Sequence, residues 1–181
     1  ENYTKAKEVL RNFKKDQDFY YWYRIKKEAQ IISKTKSKDD GLNYITSKFS
    51  EIKNPNFKFI FDVANFHKNS RKYAGAIKYY SMIIDNLNEA SDLKSDLLYR
   101  RGGSYERLKD FDNADKDLLN SLKIKPNDAY VLNYLAYSWL ERDYKIEEAM
   151  QMLEKAYASQ SNDPYIIDSI GWAYYLIDDF I

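Results

Sequence analysis

Three stretches of the sequence repeat one spacing of apolar, small and aromatic residues. Their starts, at Ser95, Ala129 and Pro164, lie 34 and 35 residues apart. Counted from each start, the fourth residue is apolar, the eighth is small and the eleventh is a large aromatic. These residues are Leu98, Gly102 and Tyr105, then Leu132, Ala136 and Trp139, then Ile167, Gly171 and Tyr174. A fixed period of this length indicates stacked helical hairpins, each of which buries its apolar face against a neighbour.

The residue types fit that packing. A small residue at the eighth place, opposite Ala114 or Ala149, lets the two helices of a hairpin approach closely, and the aromatic residue fills the gap to the next hairpin. Asp110, Asp128 and Asp163 stand where helix-capping residues are needed. No segment alternates apolar and polar residues with the period of a strand over a useful length.

The stretch from Ser95 to Asp128 resembles the tetratricopeptide repeat family. Its matching residues are Leu98, Gly102, Tyr105, Phe111, Ala114, Leu118 and Pro126. The next unit matches at Leu132, Leu135, Ala136, Trp139, Ala149, Leu153 and Ala156. A looser copy starts at Phe57, and a further one at Phe19 has Lys26 where a small residue is expected. The resemblance implies an all-α fold, a right-handed superhelical array of antiparallel helix pairs of the α–α solenoid type.

We therefore expect two regions: degenerate helical repeats over residues 1–56 and an array of repeats over residues 57–181. Within the array, the predicted units are residues 57–94, 95–128 and 129–163, with a partial unit at residues 164–181. Only 5 Gly and 3 Pro occur in 181 residues, which suits long helices joined by short turns. No cysteine is present, so disulfides and cysteine-based zinc sites are excluded. No apolar run approaches the roughly 18 residues that a transmembrane helix needs.

Both ends of the sequence look like half hairpins. Residues 3–13 have the spacing of a second helix with no first helix before it, and residues 164–181 form a first helix with no second after it. Terminal repeats usually present a polar outer face, whereas the last stretch is crowded with aromatic residues. We expect a fragment of a longer protein, with a homo-oligomer that covers this end as the alternative.

The resemblance also implies where a ligand would bind, because in this family the first helices of successive hairpins line a concave groove. Carried over place by place, the candidate groove residues are Tyr99, Arg100, Gly103, Arg107, Tyr130, Asn133, Tyr134, Tyr137, Asp168 and Trp172. Amide and hydroxyl groups can pair with the backbone of a peptide while aromatic rings cover its apolar side chains. The predicted partner is a protein, bound as a peptide or a helix. The alternative is that these rings only pack between helices.

Charge is distributed unevenly along a chain of net charge +1. Residues 1–38 carry 11 basic and 5 acidic side chains, and residues 110–181 carry 6 basic and 14 acidic ones. The basic N-terminal third, which includes the aromatic run from Tyr20 to Arg24, could bind nucleic acid or another anionic surface, with cations on phosphates and rings stacked on bases. We favour the reading in which its aromatic residues fill gaps between helices, and keep nucleic acid as the alternative.

No motif for catalysis, metal binding or a cofactor is present, so we predict no enzyme and no cofactor. The single histidine, His67, stands at the eleventh place of its unit, where other units have an aromatic packing residue. The run from Arg101 to Ser104 lacks the lysine of a phosphate-binding loop. Gly103 falls on the groove side, where we expect it to give a ligand backbone room to approach.

The run from Val131 to Trp139 and that from Ile167 to Trp172 resemble repeat regions of proteobacterial outer-membrane lipoproteins that contain these repeats. That resemblance implies a periplasmic adaptor that gathers a protease and its substrates. It also implies a periplasmic or outer-membrane location, with the cytoplasm as the alternative.

Overall fold

The computed structural model describes residues 3–11, 18–87 and 91–178 of the chain. Ten α-helices lie in these residues. They are α1 (Tyr3–Arg11), α2 (Asp18–Thr35), α3 (Lys38–Ser50), α4 (Phe57–Asn69), α5 (Tyr73–Ile84), α6 (Asp92–Arg107), α7 (Phe111–Ile124), α8 (Ala129–Leu140), α9 (Ile146–Ser159) and α10 (Pro164–Asp178). No strand occurs in the described ranges.

Consecutive helices pair as hairpins. α2 packs on α3, α4 on α5, α6 on α7 and α8 on α9, while α10 packs on both helices of the preceding hairpin. The predicted all-α array of helix pairs is confirmed. None of the helices in the described residues is both long enough and apolar enough to span a membrane.

The three capping positions expected from the sequence do cap helices. Asp110 accepts a hydrogen bond from the amide of Asn113 at the start of α7, and Asp128 accepts two at the start of α8. Asp163 does the same for α10, with its Oδ1 2.9 Å from the amide nitrogen of Tyr165. These side chains satisfy amides that the first turn of a helix leaves without a partner.

The same turn closes three of the hairpins. Its central residue is Arg71, Lys109 or Asp143, the fifteenth of its unit, with φ of 58°, 61° and 51°. In each turn the amide of the next residue donates back to the carbonyl of the eleventh residue, at 2.9, 3.0 and 2.9 Å. This pattern satisfies a terminal carbonyl of the first helix and reverses the chain within a few residues. The left-handed residue therefore stands at the same place in each of these three units.

The chain divides into two compact units, Glu1–Asn86 and Leu87–Ile181. In the first unit, the buried ring of Trp22 stacks on Phe59 with 4.8 Å between ring centroids. In the second unit, Trp139 packs among Leu135, Leu153 and other buried apolar residues of α7 to α10. Each unit thus has its own apolar core.

The small residues at the eighth place do not all have the same surroundings. Gly102 is buried, and a Cβ added to it would lie 3.0 Å from Cγ of Leu118 on α7. Ala136 is likewise buried against the α9 side of its hairpin. Gly171 is exposed, and a Cβ there would meet no atom within 4 Å. The difference arises because the described residues include no partner helix for α10 like the one that α7 provides for α6.

Candidate functional site

The candidate groove residues lie on α6, α8 and α10, the first helices of their hairpins. Tyr99, Arg100, Gly103 and Arg107 are on α6, and Asp168 and Trp172 are on α10. The remaining four lie on α8; they are Tyr130, Asn133, Tyr134 and Tyr137. Several of these residues make contacts from one of these helices to the next.

Tyr134 joins α8 to α6. Its hydroxyl donates to Oε2 of Glu106 at 3.0 Å, and its ring meets that of Tyr99 edge to face at 5.7 Å. Burial, together with the negative charge of Glu106, raises the pKa of Tyr134 well above its ordinary value. A Cβ added to Gly103 would lie 3.4 Å from the Tyr134 hydroxyl oxygen. The space in front of Gly103 is therefore bounded by this phenol.

Two further aromatic residues join α8 to α10 by donating to carboxylates. The Tyr130 hydroxyl donates to Oδ2 of Asp163 at 3.0 Å, and Trp172 Nε1 donates to Oε1 of Glu141 at 2.9 Å. Both rings keep much of their surface exposed, with Tyr130 at 50% and Trp172 at 39%. These hydrogen bonds fix the orientation of rings that still face solvent.

Tyr137 lies between these two contacts. It is 37% exposed, and burial together with the charge and hydrogen bond of Glu141 raises its pKa, with a further contribution from Asp168. On α10, the Trp172 ring stacks on Tyr175 with 5.4 Å between centroids. We call this surface the α8–α10 face; its residues are Tyr130, Tyr137, Glu141, Asp168, Trp172 and Tyr175.

Asn133 carries an unmatched polar atom. Its Oδ1 is buried and has no hydrogen-bond partner within the described part of the chain. An amide carbonyl that is buried without a donor lowers the stability of the fold.

The basic candidates are already paired. Arg100 Nε lies 2.9 Å from Asp96 Oδ2 one turn earlier, and Arg107 Nε lies 3.5 Å from Glu106. Arg101 makes two hydrogen bonds with Asp117, at 2.7 and 2.8 Å, and so reaches toward α7. The arginines of α6 are thus held by neighbouring carboxylates.

The sequence did not reveal which groups the carboxylates of this surface bind. Glu106 and Glu141 occupy groove places, and Asp163 was expected only as a cap, yet each accepts a hydrogen bond from an aromatic residue about 30 residues away in the chain. The repeat length was a usable signal, since residues about one repeat apart in sequence lie close together on successive hairpins.

The basic N-terminal stretch is partly a packing element. Trp22 is 2% exposed and its Nε1 donates to Oδ2 of Asp62 at 3.0 Å. Lys26 Nζ lies 2.5 Å from the other oxygen of Asp62, so its charge is engaged inside the first unit. Tyr20 and Tyr23 remain 49% and 43% exposed.

Two clefts lie in the first unit. One of about 480 Å³ is lined by Lys27, Lys34 and Lys38 together with Ile31 and Phe66. The other, of about 540 Å³, shares Lys27 and Ile31 and is lined otherwise by α1 and Tyr23. Both combine apolar walls with lysines.

Within residues 3–11, 18–87 and 91–178, no group of three or more histidine and carboxylate side chains could hold a metal ion.

Residues 95–128 match the family model described as the tetratricopeptide repeat. This is the stretch whose residues carry the resemblance noted from the sequence, and that prediction is confirmed. A TPR repeat-containing protein of Pseudomonas aeruginosa is 35% identical over 79 residues. The alignment covers 44% of this chain and 13% of the relative, so the chain spans a small part of that protein's length.

Solved structures share the fold. BtubC from P. vanneervenii matches with a TM-score of 0.75 at 16% identity, over 99% of this chain and 83% of its own. A tetratricopeptide repeat protein from Parabacteroides merdae matches at 0.76 and 16%, over 98% and 68%. MamA from Desulfovibrio magneticus matches at 0.66 and 16%, over 87% and 86%. At such identities the likeness shows the fold alone.

Proposed function

We propose that this chain, whose residues 95–128 match the tetratricopeptide repeat, is a protein-interaction scaffold that binds an extended peptide or a partner helix across the first helices α6, α8 and α10. The role is one of binding, with no catalytic step assigned to any residue. The candidate site residues named above line this surface.

One observation carries the proposal: aromatic rings on these helices are held by hydrogen bonds yet remain open to solvent. Tyr130 and Trp172 are oriented by Asp163 and Glu141 and keep 50% and 39% of their surface exposed. Rigid aromatic residues lose little conformational entropy on binding and cover apolar side chains well.

The test is to select peptides against the whole chain by phage display and map the binding of the best by hydrogen exchange. We expect slower exchange in α6, α8 and α10 when peptide is bound, because those helices carry the contact surface. Tyr137→Ala should weaken binding, while Tyr157→Ala on α9, which is similarly exposed, should not. Protection confined to α7 and α9 would contradict the proposal.

A finer hypothesis places the chain in a bacterial envelope as an adaptor that brings a protease to its substrates. It is supported by the resemblance of the run from Val131 to Trp139 to lipoprotein repeats, and by the similarity to a repeat protein of Pseudomonas aeruginosa. Fractionation of the source cells tests the location, and cross-linking there tests the protease. Recovery of the protein from the cytoplasm alone would contradict both.

An alternative function is binding of nucleic acid or another anionic surface through the basic N-terminal third, which lies in the first unit. It is favoured by the lysines that line its two clefts, with exposed Tyr20 and Tyr23 nearby in sequence. Retention on single-stranded DNA or on anionic vesicles should fall with salt. It should also fall in Lys27→Glu and Lys34→Glu, but not in Lys123→Glu on α7. No retention at low salt would rule this function out.

Association of two copies through the terminal helices is a further possibility raised by the exposed aromatic residues of α10. Light scattering on the eluted protein measures the mass directly. A monomer at micromolar concentration would contradict it.

A further inference from the structure

The α8–α10 face combines exposed aromatic rings with carboxylates. Neither α8 nor α10 contains a lysine or an arginine. Glu141, Asp163 and Asp168 take part in no ion pair within residues 3–11, 18–87 and 91–178. Arg142 follows Glu141 directly but reaches Asp115 on α7, with 2.8 Å between the charged atoms. Within the described residues, these three carboxylates therefore have no ion-pair partner.

The same groups have the chemistry to hold a cation. A lysine or arginine side chain is attracted to the face of an aromatic ring, most strongly to that of tryptophan. Trp172 is 39% exposed, with Tyr175 stacked on one face of its ring. Glu141 accepts hydrogen bonds from Trp172 Nε1 and from the Tyr137 hydroxyl, and a carboxylate has about four acceptor positions. The remaining acceptor positions can take a charge-assisted hydrogen bond from the same cation.

The extent of the face indicates a polypeptide as its occupant. The Tyr130–Asp163 contact and the Trp172–Glu141 contact involve opposite ends of the 12-residue α8. From Tyr130 to Glu141 the helix rises about 17 Å. An extended peptide covers that distance with about five residues, whereas a small organic cation would occupy one end only.

We propose that the α8–α10 face selects partner segments that carry lysine or arginine, with a cationic side chain over Trp172 and against Glu141. This rests on the proposed function, since it specifies the chemistry of the peptide that the groove binds. The aromatic residues supply contact area, and the unpaired carboxylates supply the preference for positive charge.

The experiment compares pools of synthetic peptides of about nine residues, labelled with fluorescein and titrated with the whole chain. One pool carries arginine at two fixed positions, a second carries the neutral isostere citrulline there, and a third carries glutamate. We expect the arginine pool to bind about tenfold more tightly than the citrulline pool, and the glutamate pool to bind most weakly. The difference should shrink as salt is raised.

Two substitutions with matched controls locate the preference. Glu141→Gln keeps an acceptor for Trp172 but removes the charge, and should reduce the arginine preference about fivefold. Glu154→Gln, an exposed carboxylate on α9, should leave it unchanged. Trp172→Leu should weaken binding of the arginine pool, while Tyr157→Leu should not. Thermal melts of each variant show whether it is folded.

The outcomes separate this inference from the proposed function. Binding of all three pools with equal affinity would overturn the charge preference and leave the peptide groove standing. Binding by none of the pools would overturn both. If sedimentation shows a dimer that Glu141→Gln converts to a monomer, the occupant is a second copy, and the peptide assignment is wrong.

Discussion

Two neighbouring glycines on α6 have different reasons for being there. Gly102 faces α7, where an added Cβ would lie 3.0 Å from Leu118 and 3.2 Å from the carbonyl oxygen of Ala114. Gly103 faces Tyr134, where the corresponding atom would make ordinary contacts of 3.4 to 3.8 Å. The first glycine is required by the approach of two helices, whereas the second leaves room for a methyl group.

We therefore expect Gly103→Ala to raise the free energy of unfolding by about 0.5 to 1 kcal/mol, because alanine favours the helix. Gly102→Ala on the same helix should lower it by about 1 kcal/mol, because the methyl group pushes against backbone and core. Urea unfolding followed by circular dichroism measures both. Equal effects of the two substitutions would show that α7 does not pack on Gly102 as described.

His67 should make the stability of α4 and α5 depend on pH. Both ring nitrogens of His67 are buried without a hydrogen-bond partner in the described residues. The ring packs on Gly75, and its centroid lies 5.2 Å from that of the Tyr79 ring. Burial, with a smaller contribution from the positive charge of Lys78, lowers the pKa of His67. In the unfolded chain the pKa of His67 is about 6.5. As the pH falls below that value, the unfolded chain therefore binds a proton more readily than the folded chain does.

This difference in pKa determines how the stability of the protein changes with pH. Stability from neutral His67 is present above about pH 6.5 and is lost as the pH falls below it. His67→Phe should flatten the decline of unfolding free energy between about pH 7.5 and pH 5, since other units carry an aromatic residue at this place. Denaturant midpoints at several pH values measure it, and parallel profiles for the two proteins would contradict the assignment.

The left-handed turn between paired helices strains the backbone of its central residue. Lys109 has φ of 61° and is exposed, so its side chain costs backbone energy and makes little compensating contact. Glycine adopts this conformation freely and is the residue most often found where a helix ends this way.

Lys109→Gly should accordingly raise the free energy of unfolding by about 0.5 to 1 kcal/mol. Lys116→Gly is the matched control, because Lys116 is an exposed lysine inside α7; there glycine should lower stability by about 1 kcal/mol. Chemical denaturation of the three proteins in parallel decides it. A loss of stability in Lys109→Gly would mean that the lysine side chain stabilises the turn.

The elements themselves were largely predictable because their signals are local. Capping aspartates and the small residue at the eighth place follow directly from helix chemistry and helix contact, and α8 and α10 begin at Ala129 and Pro164 as the repeat indicated. The turn conformation was not predictable: Arg71, Lys109 and Asp143 all have positive φ, yet none of them is the glycine that usually marks such a turn. Their conformation is set by hydrogen bonds of the main chain.

The candidate site was predictable only in outline. The repeat placed Tyr99 and Tyr134 on successive first helices, and the structure brings their rings together. The partners of the aromatic residues depend on the register of one hairpin against the next, which no local pattern encodes. Glu141, for example, lies 31 residues before Trp172 in the chain. Whether the groove residues bind a peptide remains a prediction.

The two compact units of the molecule have separate apolar cores. Ile45 is fully buried in the first unit and Leu135 in the second. In repeat proteins stability is approximately a sum of local terms, so damage in one region need not spread evenly.

Ile45→Ala and Leu135→Ala should each cost about 2 to 5 kcal/mol, through lost burial and the cavity left behind. Hydrogen exchange should then become faster mainly in residues 18–86 for the first variant and in residues 91–178 for the second. Mass spectrometry of peptic fragments measures this region by region. Equal acceleration across the chain in both variants would show that the two cores unfold as one.

The three tryptophans lie in three different surroundings. Trp22 is stacked on Phe59 in the first unit, Trp139 is 2% exposed in the second, and Trp172 is 39% exposed on α10. Iodide or acrylamide should therefore quench the emission of Trp172 alone while the chain is native. Replacing any two of them by phenylalanine would convert the remaining indole into an optical reporter for one core, the other core or the α8–α10 face.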